Sequence, residues 1–168
     1  MAALLGFGAL TATVAVVGSL ATQSSVDSPW YESLEKPSFQ PPAWVFGPVW
    51  TTLYTLMTAS VWRVWAAPDS PDRTKALGLW FTQLALNGTW SGFFFGAQNP
   101  SLALVNIGAM LAAISAYAVV AARVDTTASV LIAPYLAWTG LASALNFEIV
   151  RLNPPAQIQY RRIRSPQQ

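Results

Sequence analysis

The sequence predicts an all-α membrane protein: one membrane domain over 1–168, built as a bundle of five transmembrane helices with a long lid loop between the first and second. Three observations predict it. Only 10% of the 168 residues are charged, where a soluble domain carries about 25%. The nine Lys and Arg and seven Asp and Glu fall in short clusters, leaving uncharged runs at 1–26, 37–62, 76–122 and 126–147. A hydrocarbon layer about 30 Å thick takes roughly 20 apolar helical residues. The run 76–122 therefore holds two spans, with Gly96-Ala97-Gln98-Asn99-Pro100-Ser101 as the turn between them.

The first helix covers 2–22. It lacks a basic leading segment, and its uncharged stretch exceeds the apolar core of a signal peptide, so it reads as a retained span. The segment 23–42 carries Pro29, Pro37, Pro41 and Pro42, which exclude a continuous helix. It also holds Trp30, Tyr31, Leu34 and Phe39, too much apolar surface for a solvated linker, and is expected to fold over one end of the bundle as a lid, with Lys36 at the membrane edge. The second helix, 43–65, places Trp50, Tyr54 and Met57 on one stripe, while Trp62 and Trp65 at its end suit an interfacial aromatic belt.

The third helix, 76–96, sorts into two faces at about 100° per residue. Trp80, Gln83, Asn87, Trp90, Ser91 and Phe94 share one arc. Gly88, Gly92 and Gly96 lie opposite as a double GxxxG, a surface for close helix approach either between protomers or within one. An amide such as Asn87 is costly in hydrocarbon unless it faces the interior and finds a partner, either a ligand or a neighbouring helix. The fourth helix, 101–122, bears Gly108, Ala112 and Ala116, a structural small-residue ridge. The fifth, 127–150, aligns Tyr135, Trp138, Ala142, Leu145 and Ile149, and Pro134 should bend it near its start. A basic tail, 153–168, carries Arg161-Arg162-Ile163-Arg164 near its end. With that tail in the cytoplasm, Lys36, Arg151, Arg161, Arg162 and Arg164 lie inside, against Arg63, Arg73, Lys75 and Arg123 outside, which favours a cytoplasmic C-terminus under the positive-inside rule.

Composition narrows the chemistry. With no Cys and no His, disulfides, zinc sites, His-based triads and the usual haem ligands are excluded, and no metal site or required cofactor is expected. A formal charge of +2 gives nucleic-acid binding little support. The eight Trp exceed what a belt needs: Trp50, Trp90 and Trp138 sit well inside their spans, beside polar or small residues. An aromatic-walled cavity under an aromatic lid follows, with Gln83, Asn87, Tyr54, Tyr135 and indole N–H groups as neutral donors and acceptors. Such walls suit a large, flat, mostly apolar molecule, its acidic groups held near Lys36.

The motifs Trp30-Tyr31-x-x-Leu34-x-Lys36-Pro37-x-Phe39-x-Pro41-Pro42-x-Trp44-Val45-Phe46 and Trp50-x-x-Leu53-Tyr54-x-x-Met57 resemble the signature of the translocator protein family, also called tryptophan-rich sensory proteins or peripheral benzodiazepine receptors. Gln83-Leu84-Ala85-Leu86-Asn87-x-x-Trp90 with Phe94-Phe95-Gly96, and Pro134-Tyr135-Leu136-Ala137-Trp138 with Leu145-Asn146-Phe147, are similar to its third and fifth helices. The resemblance covers about 30–152. It implies a five-helix bundle, usually a homodimer in bacterial members, in a bacterial cytoplasmic or mitochondrial outer membrane. It further implies porphyrin ligands such as protoporphyrin IX, benzodiazepine-type and isoquinoline carboxamide drugs, and cholesterol in animal members. The family's pocket positions fall on Tyr31, Trp50, Asn87, Trp90, Trp138 and Ala142. Phe39 stands where Trp is usual, and Ser91-Gly92 replaces a stretch that often contains Pro, implying a shallower bend. The sterol motif wants Tyr before its basic residue, whereas Leu145-Asn146-Phe147-Glu148-Ile149-Val150-Arg151 has Phe147, which counts against cholesterol here.

Three functions compete at this level. The first is binding of tetrapyrroles for transport or sensing. The second is light- and oxygen-dependent porphyrin degradation, with Trp50 and Trp138 as redox-active groups, since no acid–base pair is available for conventional catalysis. The third is a structural or multidrug-type protein whose aromatics only pack, which leaves the lid motif unexplained.

Overall fold

The computed structural model describes residues 1–154, so the basic tail, Arg161, Arg162 and Arg164 included, lies outside the described residues. The described chain forms six α-helices and no strand: α1 (Ala2–Val26), α2 (Pro29–Ser33), α3 (Ala43–Ala66), α4 (Pro71–Ser91), α5 (Pro100–Val124) and α6 (Thr126–Leu152), with a π-helical turn, Gly92–Gly96, continuing α4.

Local chemistry sets the helix starts. Ser28, Ser70 and Asn99 each accept a hydrogen bond from the backbone N–H three residues on, and each precedes a proline whose missing N–H costs nothing in a first turn. Asp125 caps α6 in the same way through the Ala128 N–H at 2.9 Å. α3 starts directly after Pro41-Pro42, with Pro42 at its cap position.

The long helices close a ring: α1 packs on α3 and α4, α4 on α5, α5 on α6, and α6 back on α3. Phe7 seats α1 edge-on against Trp80, with ring centres 5.4 Å apart, and against Trp65 at 5.9 Å. α1 packs on α4 at Gly88, where an added Cβ would stand in ordinary van der Waals contact, 3.5 Å from Val14. The Ser60 hydroxyl donates to the Ala128 carbonyl and pairs with the Tyr117 hydroxyl, each at 2.7 Å, joining α3, α5 and α6 inside the bundle. Unpaired hydroxyls at such depth would be costly, so the triad fixes how these three helices meet.

Several expectations are corrected. α1 runs four residues beyond the expected end, and the loop after it contains α2. Among the described residues, α1 over Ala2–Gln23, α5 and α6 are each long and apolar enough to cross a membrane, three of the five spans expected. α3 and α4 are long but carry the aromatic and amide side chains of the interior, and α4 opens on Asp72, Arg73 and Lys75. In place of a shallow bend, α4 widens: the Ala97 N–H donates to the Gly92 carbonyl five residues back, at 2.8 Å, and the Asn99 N–H to the Phe93 carbonyl at 3.1 Å. The extra residue in this turn carries Phe94 and Phe95 inward together, where both are buried. The glycine face divides: Gly88 packs within the protomer, whereas Gly92 and Gly96 are exposed, with open space beside them. On α5, Gly108 and Ala112 are exposed too, while Ala116 is half-buried, so most of that ridge faces away from the protomer.

Candidate ligand-binding site

Asn87, one turn before the end of α4, spans the ring. Its carbonyl oxygen accepts from the Tyr54 hydroxyl of α3 at 2.8 Å, and its NH2 donates to the Tyr135 oxygen of α6 at 2.8 Å. Tyr135 in turn donates to the Met110 sulfur of α5 at 3.3 Å. Trp50 stacks on Tyr54, with centres 5.2 Å apart and planes 28° from parallel, and stands edge-on to Tyr135 at 6.2 Å. This uncharged relay joins four helices inside the bundle. Tyr135 is wholly buried; Trp50, Tyr54 and Asn87 are half-buried, leaving one side of the relay reachable.

One turn nearer the helix start, Gln83 is fully buried, and neither of its amide atoms has a hydrogen-bond partner among the described residues. Toward the other end, the Trp90 indole donates to Asn146 at 3.2 Å, and Asn146 donates to the Pro100 carbonyl at 2.9 Å. Trp90 stacks on Phe94, centres 4.9 Å apart. Phe94 meets Trp30 at 5.8 Å, and Phe95 meets Tyr31 at 5.5 Å. These contacts hold the loop against the bundle. Leu34 is buried under it, and the Lys36 ammonium sits 4.4 Å above the Tyr31 ring.

The loop is also latched to the end of α6. Asn153 accepts from the Glu35 N–H at 2.9 Å, and its NH2 donates to the Glu35 carbonyl at 2.9 Å and to the Ile149 carbonyl at 2.9 Å. Phe39 departs from expectation: it is 48% exposed, on the rim of a cleft of about 500 Å³ lined by Glu35 to Phe39, Glu148, Arg151 and Leu152. In that cleft Arg151 is paired with Glu148 at 2.8 Å.

Trp138 stands apart from the single cavity that the sequence suggests. It packs edge-on against Phe46 at 5.6 Å and lines an apolar groove of about 590 Å³ between α3 and α6. Trp50 and Trp138 thus have different surroundings, whereas the degradation reading has both facing one photosensitiser. Ala142 is half-buried against the main core. Residues that sequence reasoning did not single out are Asn146, Met110, Phe46 and Asn153. Asn146 had a signal: eleven residues from Tyr135 brings it within about 20° on the helix, and a second amide at depth needs a partner as Asn87 does. Asn153, eighteen residues from Tyr135, shares that face. Among the described residues, no three Asp or Glu cluster in a way that could hold a metal ion.

The model of the TspO/MBR family matches residues 7–152. The "Tryptophan-rich protein TspO" of Archaeoglobus fulgidus is 45% identical over 141 residues, 83% of this chain and 90% of its own length. The "Tryptophan-rich sensory protein" of Cereibacter sphaeroides is 39% identical over 142 residues, 83% of this chain and 88% of its own. The human "Translocator protein" is 40% identical over 126 residues, 74% of this chain and 75% of its own.

Proposed function

The chain belongs to the TspO/MBR family of membrane proteins, and from that premise we propose that it binds tetrapyrroles of the protoporphyrin IX type, and related flat hydrophobic molecules, for transport or sensing. The observation that carries this reading is the neutral relay Tyr54–Asn87–Tyr135 under the Trp50 ring. It offers a π-face and hydrogen-bonding groups together where no ionised side chain stands, a match for a macrocycle with pyrrole N–H groups and a poor one for an ion. The names of the relatives, sensing in one and translocation in another, fit such a ligand-handling role.

In this reading the macrocycle displaces the Tyr54 or Tyr135 contact of Asn87. Trp90, Phe94 and Tyr31 line its path toward the loop, and its acidic groups point to Lys36. Gln83 supplies a second amide, Ala142 leaves room on α6, and Trp30 and Leu34 hold the loop in place. Five of the six helices cross the membrane, α3 and α4 among the five that close the ring, and two protomers assemble as a homodimer with the C-terminus in the cytoplasm. Benzodiazepine-type drugs are ligands of the same class.

Titration of the purified protein with protoporphyrin IX, read by quenching of tryptophan fluorescence, tests it. Saturable binding is expected, weakened about tenfold or more in Asn87→Leu and in Trp50→Ala, since each removes one hydrogen-bonding or ring partner worth about 1.4 kcal/mol or more. Both variants should keep the helical signal of the parent. Parent-like binding in both would remove the relay as the site.

A further inference from the structure

Asn146 of α6 is as deeply buried as the relay, 1% exposed, and unlike Gln83 it is paired on both sides of its amide. Its oxygen accepts from the Trp90 indole of α4 at 3.2 Å, and its NH2 donates to the Pro100 carbonyl in the first turn of α5 at 2.9 Å. Those two residues flank the π-helical turn Gly92–Gly96, Trp90 just before it and Pro100 just after. One side chain of α6 therefore braces both ends of the turn that carries Phe94 and Phe95 inward. An indole has a single N–H to give, so this bond also fixes which way round the Trp90 ring lies. Its face stacks on Phe94, 21° from parallel, and it stands at 89° to Phe95, with centres 6.1 Å apart.

That orientation matters because of where Trp90 stands. The main core contains Tyr135, with Trp50 and Tyr54 packed on it, whereas Phe94 and Phe95 belong to a smaller core on which Trp30 and Tyr31 of the loop lie. Among the described residues, Trp90 is the one partly buried apolar side chain packed against both cores. Coupling between separate sites travels through packed side chains that have few alternative arrangements. A ring free to turn about its own axis transmits little, and a ring pinned at its N–H transmits more.

We propose that Asn146 is a positioning residue: it pins Trp90 as the strut that links a ligand held at the Asn87 relay to closure of the loop. The proposal rests on the ligand binding proposed above. Two measurements on the full chain in nanodiscs test it. One is the Kd for protoporphyrin IX by tryptophan quenching. The other is hydrogen–deuterium exchange of the loop peptide containing the Glu35 N–H, the group bonded to Asn153, with and without saturating protoporphyrin. In the parent the ligand should slow that exchange about fivefold or more, the lower end of ordinary coupling between sites. Asn146→Leu keeps the side-chain size and loses both bonds, and Trp90→Phe keeps a ring and loses the N–H. Each should weaken binding about fivefold and leave the ligand's protection of the loop under about twofold. The double variant should bind no more weakly than either single one, because both substitutions act on the same hydrogen bond.

A double variant weakened by the product of the two single effects overturns the proposal, since Asn146 then acts on the fold independently of Trp90. So does parent-like affinity, or parent-like protection of the loop by ligand, in either folded single variant. Should Asn146→Leu fail to fold, Trp90→Phe decides the matter by the same loss of loop protection. A parent that does not bind protoporphyrin removes the function reading and this role together, whereas a parent that binds it with no change in loop exchange removes the positioning role alone.

Discussion

At the scale of single residues, the amide side chains carry the most information. Asn87 was legible because an amide in a hydrocarbon span must be paired, and its partners Tyr54 and Tyr135 had been placed on inward stripes by helical spacing alone. Trp138 was legible as inward-leaning but not as a groove residue, because periodicity fixes a face to within a wide arc and cannot say which neighbour fills it. Gln83 poses the sharpest test. A fully buried amide without a partner lowers stability, and an apolar group of similar shape should relieve that cost. Gln83→Leu is expected to raise the stability of the ligand-free protein by about 1–3 kcal/mol, followed by denaturant unfolding in mild detergent, while weakening protoporphyrin binding. A loss of stability instead would mean that Gln83 is paired in solution and serves the fold.

Among the elements, the ends of α3, α5 and α6 fall within two residues of expectation, whereas α1 runs four residues past its expected end and α4 starts five residues before its expected start. The charge clusters mark the junctions: Arg63 to Lys75 spans the α3–α4 turn, and Arg123 with Asp125 marks the α5–α6 turn. The π-helical turn was not legible, since Gly92–Gly96 fits α and π spacing equally over one turn and only tertiary packing of Phe94 and Phe95 selects between them. The α5–α6 junction concentrates two roles in one carboxylate. Asp125 caps α6 and pairs with Arg63 at 2.8 Å, and the Arg63 hydrogen bond, helped by the Ala128 N–H, holds its carboxyl below the usual range against the opposing effect of burial. A lowered folded value means that this contribution is complete above the ordinary aspartate value of about 3.9 and is lost as pH falls from there through the folded value. Asp125→Ala should therefore be about 1 kcal/mol less stable than the parent at pH 7, the gap closing as the medium is acidified below about pH 4. Asp125→Asn, which can still cap, should lose less. Thermal melts across that range check both, and a gap independent of pH would take the ion pair out of the account.

For the whole molecule, composition alone reached the all-helical class and the membrane setting, but the ring order of the helices depends on contacts far apart in sequence that no local pattern encodes. The assembly of protomers is addressed by Gly92, which is exposed with open space beside it. A leucine fits there without disturbing the protomer, so Gly92→Leu should shift a homodimer toward monomer in light scattering on detergent-solubilised protein while leaving the melting temperature within a few degrees, since surface substitutions usually cost under about 0.5 kcal/mol. An unchanged dimer would move the contact to another face, such as the exposed Gly108 and Ala112 of α5. The latch between Glu35 and Asn153 also orders events in time. The two residues are 118 positions apart, and at typical synthesis rates of 5–20 residues per second the second follows the first by roughly 6–24 s. For about the first half of that interval Trp30 and Tyr31 lack the Phe94 and Phe95 that later cover them, and for the whole of it Glu35 lacks Asn153. A chain halted before Asn153 would therefore carry a first loop able to pack on Phe94 and Phe95 but unlatched at Glu35.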